Sequence, residues 1–316
     1  MKKEWYISFH GGDEPTTLNN IHVYSPAGQW LRKALNKNSL PPNITLRELR
    51  GFTIGPDKNL YVVNAFKDYS QILRFRGELN KHDQHDFDCV FVQRDAASNP
   101  GLIHPFNAVF DPQGHLCVTS QETSIALRYH GPKSRDAAPG QPMDIPPALK
   151  GVAAGGLHPG TFCASAKQAP RGLVVVREAV FIAGLLYVTD RDADCVRKYD
   201  PVTGEHRGEI AAKGLIDKPI HLAVSGNDLY IGSRGNESVS KCDLLSGTVT
   251  PFIQPRAGGL KNPSGLAFGN DGFLYVASRG TRQILRYRIA DALPDIRPFI
   301  DDLKDDPEFI ELMART

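Results

Sequence analysis

Long hydrophobic runs are missing from this 316-residue chain. No stretch approaches the roughly 18 uninterrupted apolar residues of a membrane span, and the opening MKKEWYISFHGG has no apolar segment of signal-peptide length. The expectation is a soluble cytoplasmic protein with no membrane partner. An excess of one charge is missing too, because 37 basic residues face 35 acidic ones for a formal net charge of +2. That balance argues against adhesion to nucleic acid or an anionic membrane, and any basic surface must be local. Only five cysteines are present (Cys89, Cys117, Cys163, Cys195, Cys242), an odd number with no C-x-x-C pair. Neither a disulfide framework nor a zinc knuckle is indicated, and four of the five lie in apolar, strand-like runs where a thiol acts as a small buried hydrophobe. No Walker loop, dinucleotide fingerprint or nucleophile elbow stands in a suitable strand context.

What the chain has in abundance is repetition. LYVASRGTRQILRY (274–287) nearly repeats LYIGSRGNESVSKC (229–242), and the same apolar triplet occurs at Trp5-Tyr6-Ile7, Leu60-Tyr61-Val62, Leu116-Cys117-Val118 and Leu186-Tyr187-Val188. After each of the six comes a polar loop and a second short run: IHVYSPAG, QILRFRG, IALRYHG, CVRKYDPVTG, SVSKCDLLSG or ILRYRIAD. Period-two runs of β-branched and aromatic residues between turn residues are strands. Ahead of five triplets lies a further strand (RGFTIGPDKN, FNAVFDPQGH, RGLVVV, HLAVSGND, SGLAFGNDGF), joined to the triplet by tight turns such as Gly-Asn-Asp-Gly. A fourth run, such as TVTPFIQ or IRPFID, completes the unit.

Four antiparallel strands in about 50 residues, six times over, predict an all-β, six-bladed β-propeller filling residues 1–316 as one domain. The first unit lacks its opening strand, and PEFIELM (307–313) remains after the sixth. That C-terminal run is expected to supply the missing inner strand and close the ring, with a C-terminal helix as the alternative. Residues 130–170, rich in Pro, Gly and Ala, form the largest insertion, and a loop of that length is commonly functional. Its last part, LHPGTFCASAKQ, is a candidate lid over the channel mouth.

NPSGLAFGNDGFLYVASRGTRQILRY resembles an NHL repeat, and nearly the whole chain is similar to the six-bladed class of NHL and gluconolactonase-like proteins, with a distant similarity to streptogramin lyase. The resemblance is specific for fold and weak for activity, because propellers host unrelated functions. It implies that site residues stand in two columns at the channel mouth. Gluconolactonase-like proteins bind a divalent metal through carboxylates and amides at the first column, and streptogramin and peptide-amidating lyases place histidines there. Here that column reads Arg50, Phe106, Arg171, Ile220 and Ser264, followed by Gly51, Asn107, Gly172, His221 and Gly265. Those residue types do not make an oxygen-ligand or zinc site. No cofactor is expected, though His10, Asn107, Asp190 and His221 leave an unconventional divalent-metal site open.

The second column, after the triplets, reads Phe9, Asn64, Ser120, Asp190, Ser233 and Ser278, then His10, Ala65, Gln121, Arg191, Arg234 and Arg279. The two columns are cationic. Arg50, Arg171, Arg191, Arg234 and Arg279, with Asn107 beside them, are candidate binding residues for a carboxylate or phosphate; alternatively each guanidinium pairs with an acid such as Asp190, Asp192, Glu122 or Glu237. His221, in a column that is otherwise mostly glycine, is the first candidate general base and His10 the second, with a hydrogen-bonded core histidine as the alternative. Asp190 is a further candidate for proton transfer. Cys163 is a candidate nucleophile because it falls in the insertion with His158; an ordinary loop thiol is the other reading. KHDQHDFD (81–88) is read as a solvated hairpin turn and not a metal tract.

Two functions follow. One is an enzyme that takes a small anionic metabolite into the channel and works on it by acid-base chemistry as a lyase, isomerase or hydrolase. The other is an NHL-type module binding protein or RNA without catalysis, which near-neutral charge and only two tryptophans weaken.

Overall fold

A computed structural model describes residues 2–11, 19–66, 69–151 and 156–315. In chain order the strands are β1 (Lys3–Phe9), β2 (His22–Tyr24), β3 (Trp30–Lys33), β4 (Leu49–Ile54), β5 (Leu60–Asn64), β6 (Gln71–Leu79), β7 (His85–Gln93), β8 (Pro105–Phe110), β9 (Leu116–Ser120), β10 (Ile125–Tyr129), β11 (Thr161–Cys163) and β12 (Val176–Ile182). They continue as β13 (Leu185–Asp190), β14 (Cys195–Tyr199), β15 (His206–Ala211), β16 (Pro219–Ser225), β17 (Asp228–Ser233), β18 (Ser238–Asp243), β19 (Val249–Ile253), β20 (Pro263–Phe268), β21 (Phe273–Ser278), β22 (Gln283–Arg288) and β23 (Pro307–Ala314). They form six sheets, the blades of an all-β, six-bladed propeller.

The described residues gather into two compact units. The first (Met1–Leu49, Leu79–Gln84, Ala211–Thr316) holds the sheets β23-β1-β2-β3, β16-β17-β18-β19 and β20-β21-β22. The second (Arg50–Glu78, His85–Ile210) holds β4-β5-β6-β7, β8-β9-β10-β11 and β12-β13-β14-β15. In both units the triplets form the core: Tyr61, Val63, Leu116 and Val118 pack in one cluster, and Trp5, Ile7, Tyr275 and Ala277 in another. Alternation along each strand sends apolar residues to both faces, and within each unit facing sheets pack through these clusters.

The C-terminal run is a strand and not a helix. β23 pairs antiparallel with β1, from Lys3 opposite Ala314 to Phe9 opposite Pro307, and so supplies the opening strand of the first blade and closes the ring.

Three expectations are corrected. RGLVVV is not the opening strand of the fourth blade; VREAVFI is. Arg171 sits in the left-handed region at φ 57°, and the amides of Val174 and Val175 donate to the Asp190 carboxylate, so no ladder can start before Val176. The 130–170 stretch is not all insertion, since Thr161–Cys163 is the fourth strand of the third sheet; residues 152–155 lie outside the described residues. In the sixth blade IRPFID forms no strand, and only isolated bridges at Pro294 and Ile300 cover β22. Of KHDQHDFD, expected to be a solvated turn, only residues 81–84 lie between β6 and β7; His85–Asp88 open β7, and His85 is buried.

Candidate functional site

Five of the six opening strands begin with the same device. Pro105 faces Ser120, Val176 faces Asp190, Pro219 faces Ser233, Pro263 faces Ser278 and Pro307 faces Phe9, and in every case the register shifts immediately afterwards. Such a bulge adds a residue to one strand and re-aims its side chain. The bulged positions carry Phe106, Arg177, Ile220, Ser264 and Glu308, so the true first column includes Arg177 and Glu308 and excludes Arg171.

The second column is largely a clamp on the preceding loop. Ser120 Oγ accepts from Ile103 N at 2.8 Å, Ser278 Oγ from Lys261 N at 3.0 Å and Ser233 Oγ from Asp217 N at 3.4 Å. The next residue donates its own amide one step further on: Gln121 to His104 O, Arg191 to Val175 O, Arg234 to Lys218 O, Arg279 to Asn262 O and His10 to Asp306 O. In the repeated Ser-Arg-Gly the glycine leaves room for a side chain of the preceding loop, since a Cβ on Gly235 would stand 2.0 Å from Asp217 Oδ1 and one on Gly280 2.7 Å from Lys261 Cγ. Serine and glycine are therefore scaffold, and only the arginine side chain is left to be explained.

In the first unit Arg234 and Arg279 meet on one carboxylate. Arg279 Nη1 lies 3.2 Å from Glu308 Oε2, and Arg234 Nη2 lies 3.9 Å from Glu308 Oε1. The Glu308 side chain is 1% exposed, against 22% for Arg234 and 19% for Arg279. Asp306 adds a second acid, 3.2 Å from Arg279 Nε and 3.0 Å from Arg282 Nε. Arg234, Asn262, Arg279, Thr281, Arg282 and Asp306 line an open depression. His10 is half-buried with its amide 2.8 Å from Asp306 O. His221 is buried (1% exposed) with its ring edge-on to Phe309 at 4.3 Å between centroids.

The remaining candidates are placed elsewhere. In the second unit buried Arg50 lies 3.5 Å from His104 Nε2, whose Nδ1 faces Glu122 Oε1 at 3.4 Å. Asn107 is buried with its amide 3.5 Å from Glu178 Oε1. Arg191 grips its own neighbour Asp192 at 2.7 Å, and Arg171 is exposed. Asp190 is fully buried; its carboxylate accepts from Val174 N, Val175 N and, at 2.8 Å, Arg197 Nε. It does in charged form what serine does in the sister blades, which is a structural task. Cys163 is a buried strand residue whose thiol is pushed well up by burial, the reverse of what a thiolate nucleophile needs. Among the described residues no three His, Cys, Asp or Glu gather as a metal group, and no helix is long and apolar enough to cross a membrane.

Sequence reasoning missed Glu308 and Asp306. HPFNAV, KPIHLA, NPSGLA and DPEFIE are one motif, and aligning the last with the other three would have put Glu308 in the first column.

No family model and no curated protein matches this sequence. Solved structures do match. Over 99% of both chains it is similar to a chain of the nidogen/laminin complex, with a TM-score of 0.67 and 13% identity. That likeness, spanning the whole chain, shows the fold. The chain is a six-bladed β-propeller. The propeller is also similar to a catalytically inactive virginiamycin B lyase from Staphylococcus aureus with quinupristin, at a TM-score of 0.56 and 13% identity over 99% of this chain and 92% of that one. With a streptogramin B lyase structure it shares 12% identity at a TM-score of 0.51, over 94% of this chain and 74% of that one.

Proposed function

We propose that this propeller is a soluble, cytoplasmic enzyme that holds a small carboxylate- or phosphate-bearing metabolite over Arg234 and Arg279 and acts on it by proton transfer, as a lyase. One observation carries this. Three guanidiniums (Arg234, Arg279, Arg282) face two carboxylates (Asp306, Glu308), so the depression keeps one positive charge in excess. An anion entering it completes the charge balance, and planar guanidiniums suit carboxylate and phosphate geometry.

His10 and His221 are the candidate proton carriers. His10 is the more accessible and lies next to Asp306 along the backbone, whereas His221 is buried against Phe309. A base of this kind removes a proton beside the bound acid group, and the arginines stabilise the negative charge that develops there. The fold is shared with lyases of the virginiamycin B and streptogramin B type. A protein- or RNA-binding module remains the second reading, favoured by the openness of the depression and by Arg282, which is 57% exposed at its rim.

The deciding experiment is a thermal-shift screen of carboxylates and phosphates with and without chelator, on the wild type and on Arg234→Gln. A midpoint rise of roughly 2 °C or more that Arg234→Gln loses supports anion binding. A binder converted at a rate that His10→Ala or His221→Ala abolishes, with unchanged melting, supports catalysis. No hit across the screen, with RNA or peptide retained instead, rejects the enzyme.

A further inference from the structure

In the first unit a single carboxylate grips two arginines by the same atom. Asp306 Oδ2 lies 3.2 Å from Arg279 Nε, and its Oδ1 lies 3.0 Å from Arg282 Nε. Arg279 turns one further nitrogen, Nη1, to Glu308 at 3.2 Å. Among the described residues, Arg279 Nη2 and both Nη nitrogens of Arg282 make no hydrogen bond, and both side chains line the open depression.

Asp306 is itself held from both sides. Its carbonyl oxygen accepts from His10 N at 2.8 Å, its amide donates to Asp305 Oδ1 at 2.7 Å, and Pro307 after it restricts its backbone to extended geometry. Arg282 is anchored likewise, since its amide donates to Arg279 O and its carbonyl oxygen accepts from Leu303 N at 2.9 Å. A partly exposed ion pair adds little stability, so what Asp306 contributes is direction. With both Nε edges turned to one anchored carboxylate, the Nη ends of two guanidiniums are left side by side for a ligand.

We propose that Asp306 is a positioning residue that joins Arg279 and Arg282 into a paired fork, and that the ligand of this fork is a phosphomonoester. The assignment rests on the anion site put forward above and names its substrate class. A planar carboxylate is gripped by one guanidinium; a phosphoryl group has three terminal oxygens and uses both. Asn262 lines the same depression with a side-chain amide that makes no hydrogen bond among the described residues, and adds a further donor. Of the charges next along the chain, exposed Lys261 beside Gly280 and Asp305 offset each other, so the excess of one positive charge stands.

Isothermal titration calorimetry with phenyl phosphate and with benzoate tests this, at low fixed ionic strength and about pH 7.5, where the phosphomonoester is a dianion. The wild type should bind phenyl phosphate saturably and at least about fivefold more tightly than benzoate. Asp306→Asn adds one positive charge, and charge alone would tighten the phosphate; loss of positioning should weaken it about fivefold or more. Glu308→Gln adds the same charge but leaves Arg279 and Arg282 on Asp306, and should tighten it. Arg282→Lys keeps the charge and removes the fork; with a side chain 57% exposed it should melt like wild type and bind phenyl phosphate about fivefold more weakly. If the wild type binds neither compound, the anion site itself fails and this assignment with it. If it binds phenyl phosphate, the assignment alone is overturned by undiminished affinity in Asp306→Asn, by unchanged affinity in Arg282→Lys, or by equal binding of benzoate.

Discussion

Glu308 Oε2 lies 3.2 Å from Arg279 Nη1, and this carboxylate, 1% exposed, is the ground on which the two repeat arginines stand. Because Arg234 approaches its other oxygen at 3.9 Å, removing the acid takes a carboxylate partner from two partly buried guanidiniums at once. Glu308→Ala should cost about 3 kcal/mol, in the range for breaking a buried pair, measured as a lower urea midpoint. Glu308→Gln keeps the shape but raises the excess positive charge from one to two. If it remains folded it should bind inorganic phosphate several-fold more tightly than wild type at low salt. Unchanged stability in Glu308→Ala would mean that the arginines do not depend on it.

Asp190 and Arg197 form the corresponding structural pair in the fourth blade, at 2.8 Å with both side chains largely buried. Asp190→Ala removes the acceptor for two loop amides as well as the partner of Arg197, and should cost about 3–5 kcal/mol by urea unfolding. Asp190→Ser should lose less, because a serine hydroxyl clamps the same loop in three sister blades. An Asp190→Ser variant that lost all turnover at full stability would instead return this residue to a role in catalysis.

His22 predicts a pH dependence. Its pKa is lowered to about 4 in the folded chain, whereas an unfolded histidine titrates near 6.5. Between those values the unfolded state binds more protons, so stability rises with pH through the window and is lost as pH falls from about 6.5 to about 4, by about 3 kcal/mol in all. His115 and His206 are lowered as well, chiefly by burial, and add to the slope in the same direction. His22→Gln should flatten the profile without abolishing it, as followed by unfolding at several pH values. A slope identical to wild type would remove His22 as its source.

Much of the fold was legible because strand information is local. The period-two triplets, the aromatic ends of the third strands and the Gly-Asp turns each act over a few residues, and all six blades could be read from them. Legibility failed where local signals imitated one another. Arg171-Gly172 looked like Arg50-Gly51, but Asp190 draws the following amides out of the ladder and delays the strand to Val176. Cys163 looked like a loop residue because its strand is only three residues long and follows a run of proline and glycine.

The chain by itself determined the repeat, the second column, and the places of Arg234 and Arg279, since alternation and turn chemistry depend only on neighbours. What these arginines face was decided by tertiary structure. Glu308 reaches them through the pairing of β23 with β1 and a bulge after Pro307, two events that depend on which distant strand completes the first sheet. Asp306 reaches Arg279 and Arg282 in the same way, held by the amide of His10 from the other end of the chain. Backbone pairing between remote segments sets those distances, and no pattern within either segment contains them.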